Sequence, residues 1–175
     1  MFRQFTLLTL CSALLAGCGS IIEELPTYEE SSIVVVGDEA PDFTATTLAG
    51  ESVTLSALQG DEVLLVLFSH ECPDCKMLLD DMQAARAEFE ELGVYVLLVA
   101  RDGDSDEVSV YVGENGYDFD VVADPAREIY SLYATTYVPR TYLVDAEGYV
   151  RYATIEYKED HIANIISKLY AQQGI

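Results

Sequence analysis

The stretch that most constrains this chain is Val63-Leu64-Leu65-Val66-Leu67-Phe68, six apolar residues in succession. A run this short and continuous reads as a β-strand buried on both faces, inside a sheet that is covered on either side. The polar turn Ser69-His70-Glu71 follows, then Cys72 and Pro73. Proline suits the first position of a helix, because the N–H it lacks would have no partner there. An apolar stripe then runs through Leu78, Met82, Ala85, Phe89 and Leu92, at alternating spacings of four and three, and Gly93 ends it.

The same pattern recurs. Residues 94–99 read as a second buried strand, and Ser105 as the cap of a helix carrying Val108, Tyr111 and Val112 that stops near Gly116. Residues 119–122 form a short strand, and Asp124-Pro125 opens a helix with Ile129, Leu132 and Tyr133. Residues 141–144 and 149–155 are strands joined by the turn Asp145-Ala146-Glu147-Gly148, and Ile162, Ile165, Ile166 and Leu169 mark a last amphipathic helix. Upstream, residues 43–55 alternate and break at Ala49-Gly50, the pattern of a hairpin. Strands that alternate with helices predict an α/β fold: a three-layer α/β/α sandwich with a central mixed sheet and an N-terminal hairpin.

The first residues belong to a different physical regime. Arg3 is followed by a mostly apolar stretch, residues 5–15, too short to span a bilayer as a mature helix. It reads as a secretory signal over residues 1–17. Leu15-Ala16-Gly17-Cys18 resembles the lipobox of bacterial lipoproteins. That resemblance implies cleavage before Cys18 and lipidation of its sulfur, with several acyl chains holding the protein on a membrane. Gly19 in place of the Asp that retains such proteins at an inner membrane favours the outer one. Residues 18–36 read as the lipidated cysteine and an acidic tether. Glu23, Glu24, Glu29 and Glu30 repel one another, Pro26 blocks a helix, Ser31-Ser32 is flexible, and residues 33–36 approach the first strand. The domain proper is residues 37–175.

Charge narrows the partners. The chain has 31 Asp and Glu against 9 Lys and Arg, a net charge of −22. Residues 19–62 hold ten acids and residues 102–124 eight, and neither stretch has a Lys or Arg. A surface of this sign repels nucleic acid and anionic headgroups. It reads either as an ordinary solvated surface or, with only three lysines, as adaptation to high salt.

Of the four cysteines, Cys11 leaves with the signal and Cys18 is spent on lipid, so the domain retains Cys72 and Cys75. A disulfide closing so small a loop restrains the unfolded chain little, which favours a redox role over a staple. A zinc site wants four ligands; no second C-x-x-C exists, and His161 lies far along the chain, so no metal is assigned. The redox-active Cys72–Cys75 disulfide stands in place of any cofactor. Cys72, at the helix start, meets unpaired N–H groups and the positive end of the helix dipole, and is the expected attacking sulfur. Cys75 falls on the stripe of Leu78 and Met82 and is the expected buried, resolving thiol. Glu71 and Asp74 set negative charge beside Cys72, opposing a stable thiolate and favouring a reductant, with a potential nearer thioredoxin at roughly −270 mV than DsbA at roughly −120 mV.

Residues 37–175 resemble extracytoplasmic thioredoxin-like oxidoreductases of the TlpA and ResA type. The matching segments are Gly37-Asp38-Glu39-Ala40-Pro41-Asp42-Phe43, shared with peroxiredoxin-like relatives, residues 63–76, Val138-Pro139-Arg140-Thr141-Tyr142-Leu143-Val144-Asp145, and Glu147-Gly148-Tyr149-Val150. The resemblance implies a thioredoxin-like fold and exchange or reduction of disulfides in extracytoplasmic proteins, often in cytochrome maturation, with electrons from a membrane redox donor. It also implies a cis Val138–Pro139 bond that turns Val138 toward Cys72, so that Val138 and Pro139 bind a substrate strand. The chain is read as a monomer.

The departures from that family are specific. Glu71 stands where Trp precedes the first cysteine, Val66 where thioredoxin has a buried acid, and Leu78 where ResA-type proteins have Glu. The usual proton acceptor for the buried thiol is therefore missing. His70 or Glu71 is the candidate tuning group, against the plainer reading of His70 as an exposed loop residue. Arg140, unusual after the proline, is placed to steer acidic partners. Three other functions stay open: a peroxiredoxin-like peroxidase, for which Ser69 stands where Thr is expected; a copper-binding module using Cys72, Cys75 and His70; and a structural lipoprotein without activity.

Overall fold

The computed structural model describes residues 26–173. In chain order they form α1 (Tyr28–Ser31), β1 (Thr44–Thr46), β2 (Ser52–Thr54), a 3-10 turn (Leu55–Leu58), β3 (Glu62–Phe68), α2 (Pro73–Ala84), α3 (Arg86–Glu91), β4 (Val94–Ala100), α4 (Ser105–Asn115), β5 (Asp120–Ala123), α5 (Tyr130–Tyr133), β6 (Arg140–Val144), β7 (Val150–Ile155) and α6 (His161–Gln173). The signal, the lipobox and Cys18 lie outside the described residues. Among those described, no helix is long and apolar enough to cross a membrane.

The five-stranded sheet has the order β5-β4-β3-β6-β7. β3 runs parallel to β4, and β4 to β5, while β6 is antiparallel to both β3 and β7, so the sheet is mixed. β3 sits at its centre, which is why its sequence is apolar without alternation. Leu64, Val66 and Phe68 pack on one face with Leu78, Leu79 and Met82 of α2 and Ile165 and Leu169 of α6. Leu65 and Leu67 pack on the other with Phe43, Val53, Tyr130, Tyr133 and Tyr142. The hairpin forms as expected, Thr44 opposite Thr54 and Thr46 opposite Ser52.

Four local expectations change. The stripe 78–92 is carried by two helices: the Ala85 N–H is shared between the carbonyls of Asp81 and Met82, at 3.0 and 3.1 Å, and α2 closes there before α3 begins. Leu78, Met82, Phe89 and Leu92 are still buried. α4 is capped by Asp104 rather than Ser105: its carboxylate accepts the N–H groups of Asp106 and Glu107, and Glu107 returns a bond to the Asp104 N–H. The helix expected after Pro125 shrinks to α5. Arg127 adopts a left-handed conformation (φ 57), which no α-helix can include. Asp124 binds the N–H groups of Glu128 and Tyr130 across the turn, and Leu132 is left exposed.

The fourth concerns the tether. Its second half is part of the folded body. Thr27 and Glu30 form a reciprocal cap on α1, Ser31 is completely buried, and Ser32 bridges Ala134. Residues 33–36 make no strand; Val34 is buried and Ile33, Val35 and Val36 are exposed. Flexibility read from Ser-Ser gives way because both hydroxyls have buried partners. They are tied to Arg140.

Candidate active site

The two cysteines lie where β3 hands over to α2. Cys72 is the N-cap of α2, with extended backbone (φ −92, ψ 119), and Pro73 follows at the first helical position. The turn before it is closed by the Cys72 N–H to Ser69 O at 3.2 Å, and the first helical turn by the Lys76 N–H to Cys72 O at 3.1 Å. Cys72 is half-buried, Cys75 is fully buried, and both are free thiols.

Cys75 faces a dry surface. Val66 and Leu78, where the family resemblance implied an acid, are both completely buried and supply only apolar contact. The Cys75 sulfur accepts one hydrogen bond, from the Ser69 backbone N–H at 3.4 Å. Burial pushes its thiol far up from the ordinary range, and the nearby Cys72 adds to this; the Ser69 N–H and the charge of Arg101 oppose it and do not prevail. Cys72 Sγ, next to Cys75, also donates to the backbone oxygen of Val138 at 3.8 Å. The Val138–Pro139 bond is cis. Residues 66 positions apart in sequence thus share one site.

His70 is not a free loop residue. Its Nδ1 lies 3.3 Å from Asp102 Oδ1, with side chains 22% and 25% exposed, and its ring meets the edge of Tyr111 at 6.1 Å. Asp102 Oδ2 is also 3.7 Å from Arg101 Nε, and Arg101 Nη1 donates to the Tyr130 hydroxyl at 3.2 Å. Gly103 makes room for this group: it has φ +80, and a Cβ there would stand 2.8 Å from His70 Cε1. No local motif marks Arg101 and Asp102 in the sequence. The available signal is their place just past a buried parallel strand, at the carboxyl edge where α/β sheets build their sites.

Glu71 is exposed and engages the turn only through its backbone N–H, bonded to Ser69 Oγ at 3.2 Å. Ser69 Oγ, which accepts that bond, stands where a peroxidase is expected to carry Thr. Lys76 pairs with Asp80 at 2.8 Å, on the outer side of α2. Arg140 steers nothing: it is 1% exposed and bonded within the protein. His161 is buried, away from the two cysteines in the chain, at the start of α6. Among the described residues, no three His, Cys, Asp or Glu side chains gather as a metal site.

A C-x-x-C pair at the start of a helix, packed on a mixed sheet and facing a cis-proline loop, defines a thioredoxin-like thiol-disulfide oxidoreductase. The model of the AhpC/TSA family matches residues 36–153, and the chain belongs to that family. It is 32% identical over 152 residues to the thiol-disulfide oxidoreductase ResA of Oceanobacillus iheyensis, covering 85% of this chain and 77% of that protein. The ResA of Bacillus cereus is 28% identical over 152 residues, covering 86% and 84%. Among solved structures, a protein from Chlorobium tepidum provisionally assigned as thiol:disulfide interchange protein DsbE superposes with a TM-score of 0.70 at 25% identity, over 78% of this chain and 99% of that one.

Proposed function

We propose that this protein is an extracytoplasmic disulfide reductase, anchored by lipid on Cys18, that acts on protein substrates through Cys72 and Cys75. The observation that carries the reading is the division between the two thiols: Cys72 is accessible at the helix start, and Cys75 is sealed beneath it. In the first step the Cys72 thiolate attacks one sulfur of a substrate disulfide. A mixed disulfide forms, and the other substrate sulfur leaves with the electron pair and takes up a proton. Cys75 then gives up its proton and attacks Cys72 Sγ. The Cys72–Cys75 disulfide forms, and the second substrate sulfur leaves and is protonated. Two electrons have passed to the substrate, and an external dithiol donor restores the pair.

The carbonyl of Val138, facing Cys72, suits the pairing of an extended substrate segment beside the reacting sulfur. Glu71 and Asp74 next to Cys72 favour the reducing direction. The ResA and DsbE names of the relatives support the exchange chemistry, and the lipobox supports the anchor. Insulin reduction with dithiothreitol as donor tests the chemistry: wild type precipitates insulin chains, Cys72→Ser does not, and Cys75→Ser accumulates mixed disulfides through Cys72. Trapping by Cys72→Ser instead of Cys75→Ser overturns the roles. Labelling with palmitate tests the anchor; an unlabelled wild type, no different from Cys18→Ala, rejects it.

A further inference from the structure

Arg140 opens β6 directly after Pro139. It is a buried cation, and among the described residues it makes no ion pair. A charge in that position is tolerated only when its donors are matched by well-placed acceptors. The acceptors come from two segments far apart in the chain. On one side, Nε donates to Thr136 O at 3.0 Å and Tyr137 O at 3.3 Å, and Nη2 to Thr136 O at 2.7 Å. On the other, Nη1 donates to Ser32 Oγ at 2.9 Å, and Nη2 to Ser31 Oγ at 2.7 Å and Ser31 O at 3.2 Å.

The two segments also grip each other. The Thr135 N–H donates to Ser31 O at 2.9 Å, and the N–H groups of Ile33 and Val34 to Tyr133 O at 3.0 and 3.2 Å. The Tyr137 hydroxyl donates to Pro26 O at 2.7 Å, and its ring meets the edge of Tyr28 at 5.0 Å. What is gripped is a loop that does not hold its shape by local preference. Tyr137 sits at φ 69, a conformation costly for a bulky residue and kept only where neighbours over-determine it. The next residue is Val138, whose oxygen faces Cys72.

We propose that residues 26–34 and Arg140 form a clasp that holds loop 134–138 in the shape in which Val138 receives a substrate strand. Arg140, Ser31, Ser32 and Tyr137 are then positioning residues: they act through Val138 and touch no reacting atom. The proposal rests on the reading of Val138 as a docking backbone. It separates two kinds of substrate. A polypeptide must pair with the loop; a small aromatic disulfide needs only Cys72.

The test uses the full chain carrying Ser31→Ala, Ser32→Ala and Tyr137→Phe together, with Arg140→Met and Arg140→Lys alongside. In the triple variant, kcat/KM for insulin falls about tenfold, mostly through KM, while turnover of 5,5′-dithiobis(2-nitrobenzoate) stays within about twofold. Amide exchange at residues 135–138 quickens about tenfold, and exchange in β3 is unchanged. Arg140→Met shows a larger loss on insulin, which Arg140→Lys partly restores. Equal losses on both substrates would mean general damage and overturn the proposal, as would unchanged exchange at 135–138. Faster exchange with insulin turnover intact overturns the docking role alone. A wild type that turns over neither disulfide, with its loop protected, rejects the functional reading and leaves the clasp standing.

Discussion

The sulfur of Cys75 accepts the backbone N–H of Ser69 at 3.4 Å. The carbonyl of the same peptide group, that of Phe68, accepts the N–H of Arg101 at 2.9 Å. One peptide unit therefore links the Cys75 thiol to the end of the neighbouring parallel strand, where Arg101 and Asp102 stand with His70. This contact and the charge of Arg101 are what the site offers a Cys75 thiolate, and Val66 and Leu78 bring no carboxylate to take its proton.

The first prediction follows from that environment. Burial holds the Cys75 thiol far above its ordinary range, so its ionised fraction climbs with pH across neutral and alkaline conditions. Release of substrate from the Cys72 mixed disulfide should accelerate about tenfold per pH unit from pH 6.5 to 9. Stopped-flow measurement of thiol release from a preformed mixed disulfide checks this. A plateau near neutrality would show that another group of the protein takes the proton.

Redox poise is set around the outer thiol. Glu71 and Asp74 are exposed and, among the described residues, neither makes an ion pair. Negative charge beside a thiol in general opposes its ionised form, so removing such charge favours the reduced pair. Glu71→Gln with Asp74→Asn should make the couple more oxidising by roughly 20 mV, the scale of solvent-screened charges. Equilibration in glutathione buffers with alkylation of Cys72 reads the shift, and a shift in the reducing direction contradicts the argument.

His161 gives a stability prediction. It lies in the first turn of α6, buried, and neither ring nitrogen has a well-formed hydrogen bond. Burial holds its imidazole below the ordinary value. The folded state therefore prefers the neutral ring: the contribution is present above the unfolded value of about 6.5 and is lost as pH falls below it. His161→Leu should lose less stability than wild type between pH 7.5 and 5, read as urea midpoints. Parallel loss in both proteins excludes the residue as an acid-sensitive point.

Leu78 and Met77 test which face of α2 carries the core. Leu78 is fully buried beside Cys75, and Met77 is 44% exposed. Leu78→Ala should cost about 3 kcal/mol of stability through the cavity it leaves, and Met77→Ala within about 0.5 kcal/mol. Denaturant unfolding of both variants decides it.

The sequence by itself determined the strand order in the chain, the hairpin, the cysteine pair at a helix start and the exposure of Cys72 against Cys75. Each depends on patterns within a few residues: a continuous apolar run, an alternation, a stripe at helical spacing, a proline at the first helical position. Tertiary structure decided the rest, because it concerned groups whose partners lie far away. Ser31 and Ser32 look flexible until Arg140 meets them across 109 and 108 positions. Arg140 looks like a surface charge until the carbonyls of a folded loop enclose it. The Asp124-Pro125 start is a sound helix signal, overruled by the left-handed turn at Arg127. His70, Asp102 and Arg101 join only because β3 and β4 end side by side, with Phe68 opposite Ala100. A lone polar residue carries no local trace of its partner, whereas an apolar pattern carries the period of the element that buries it.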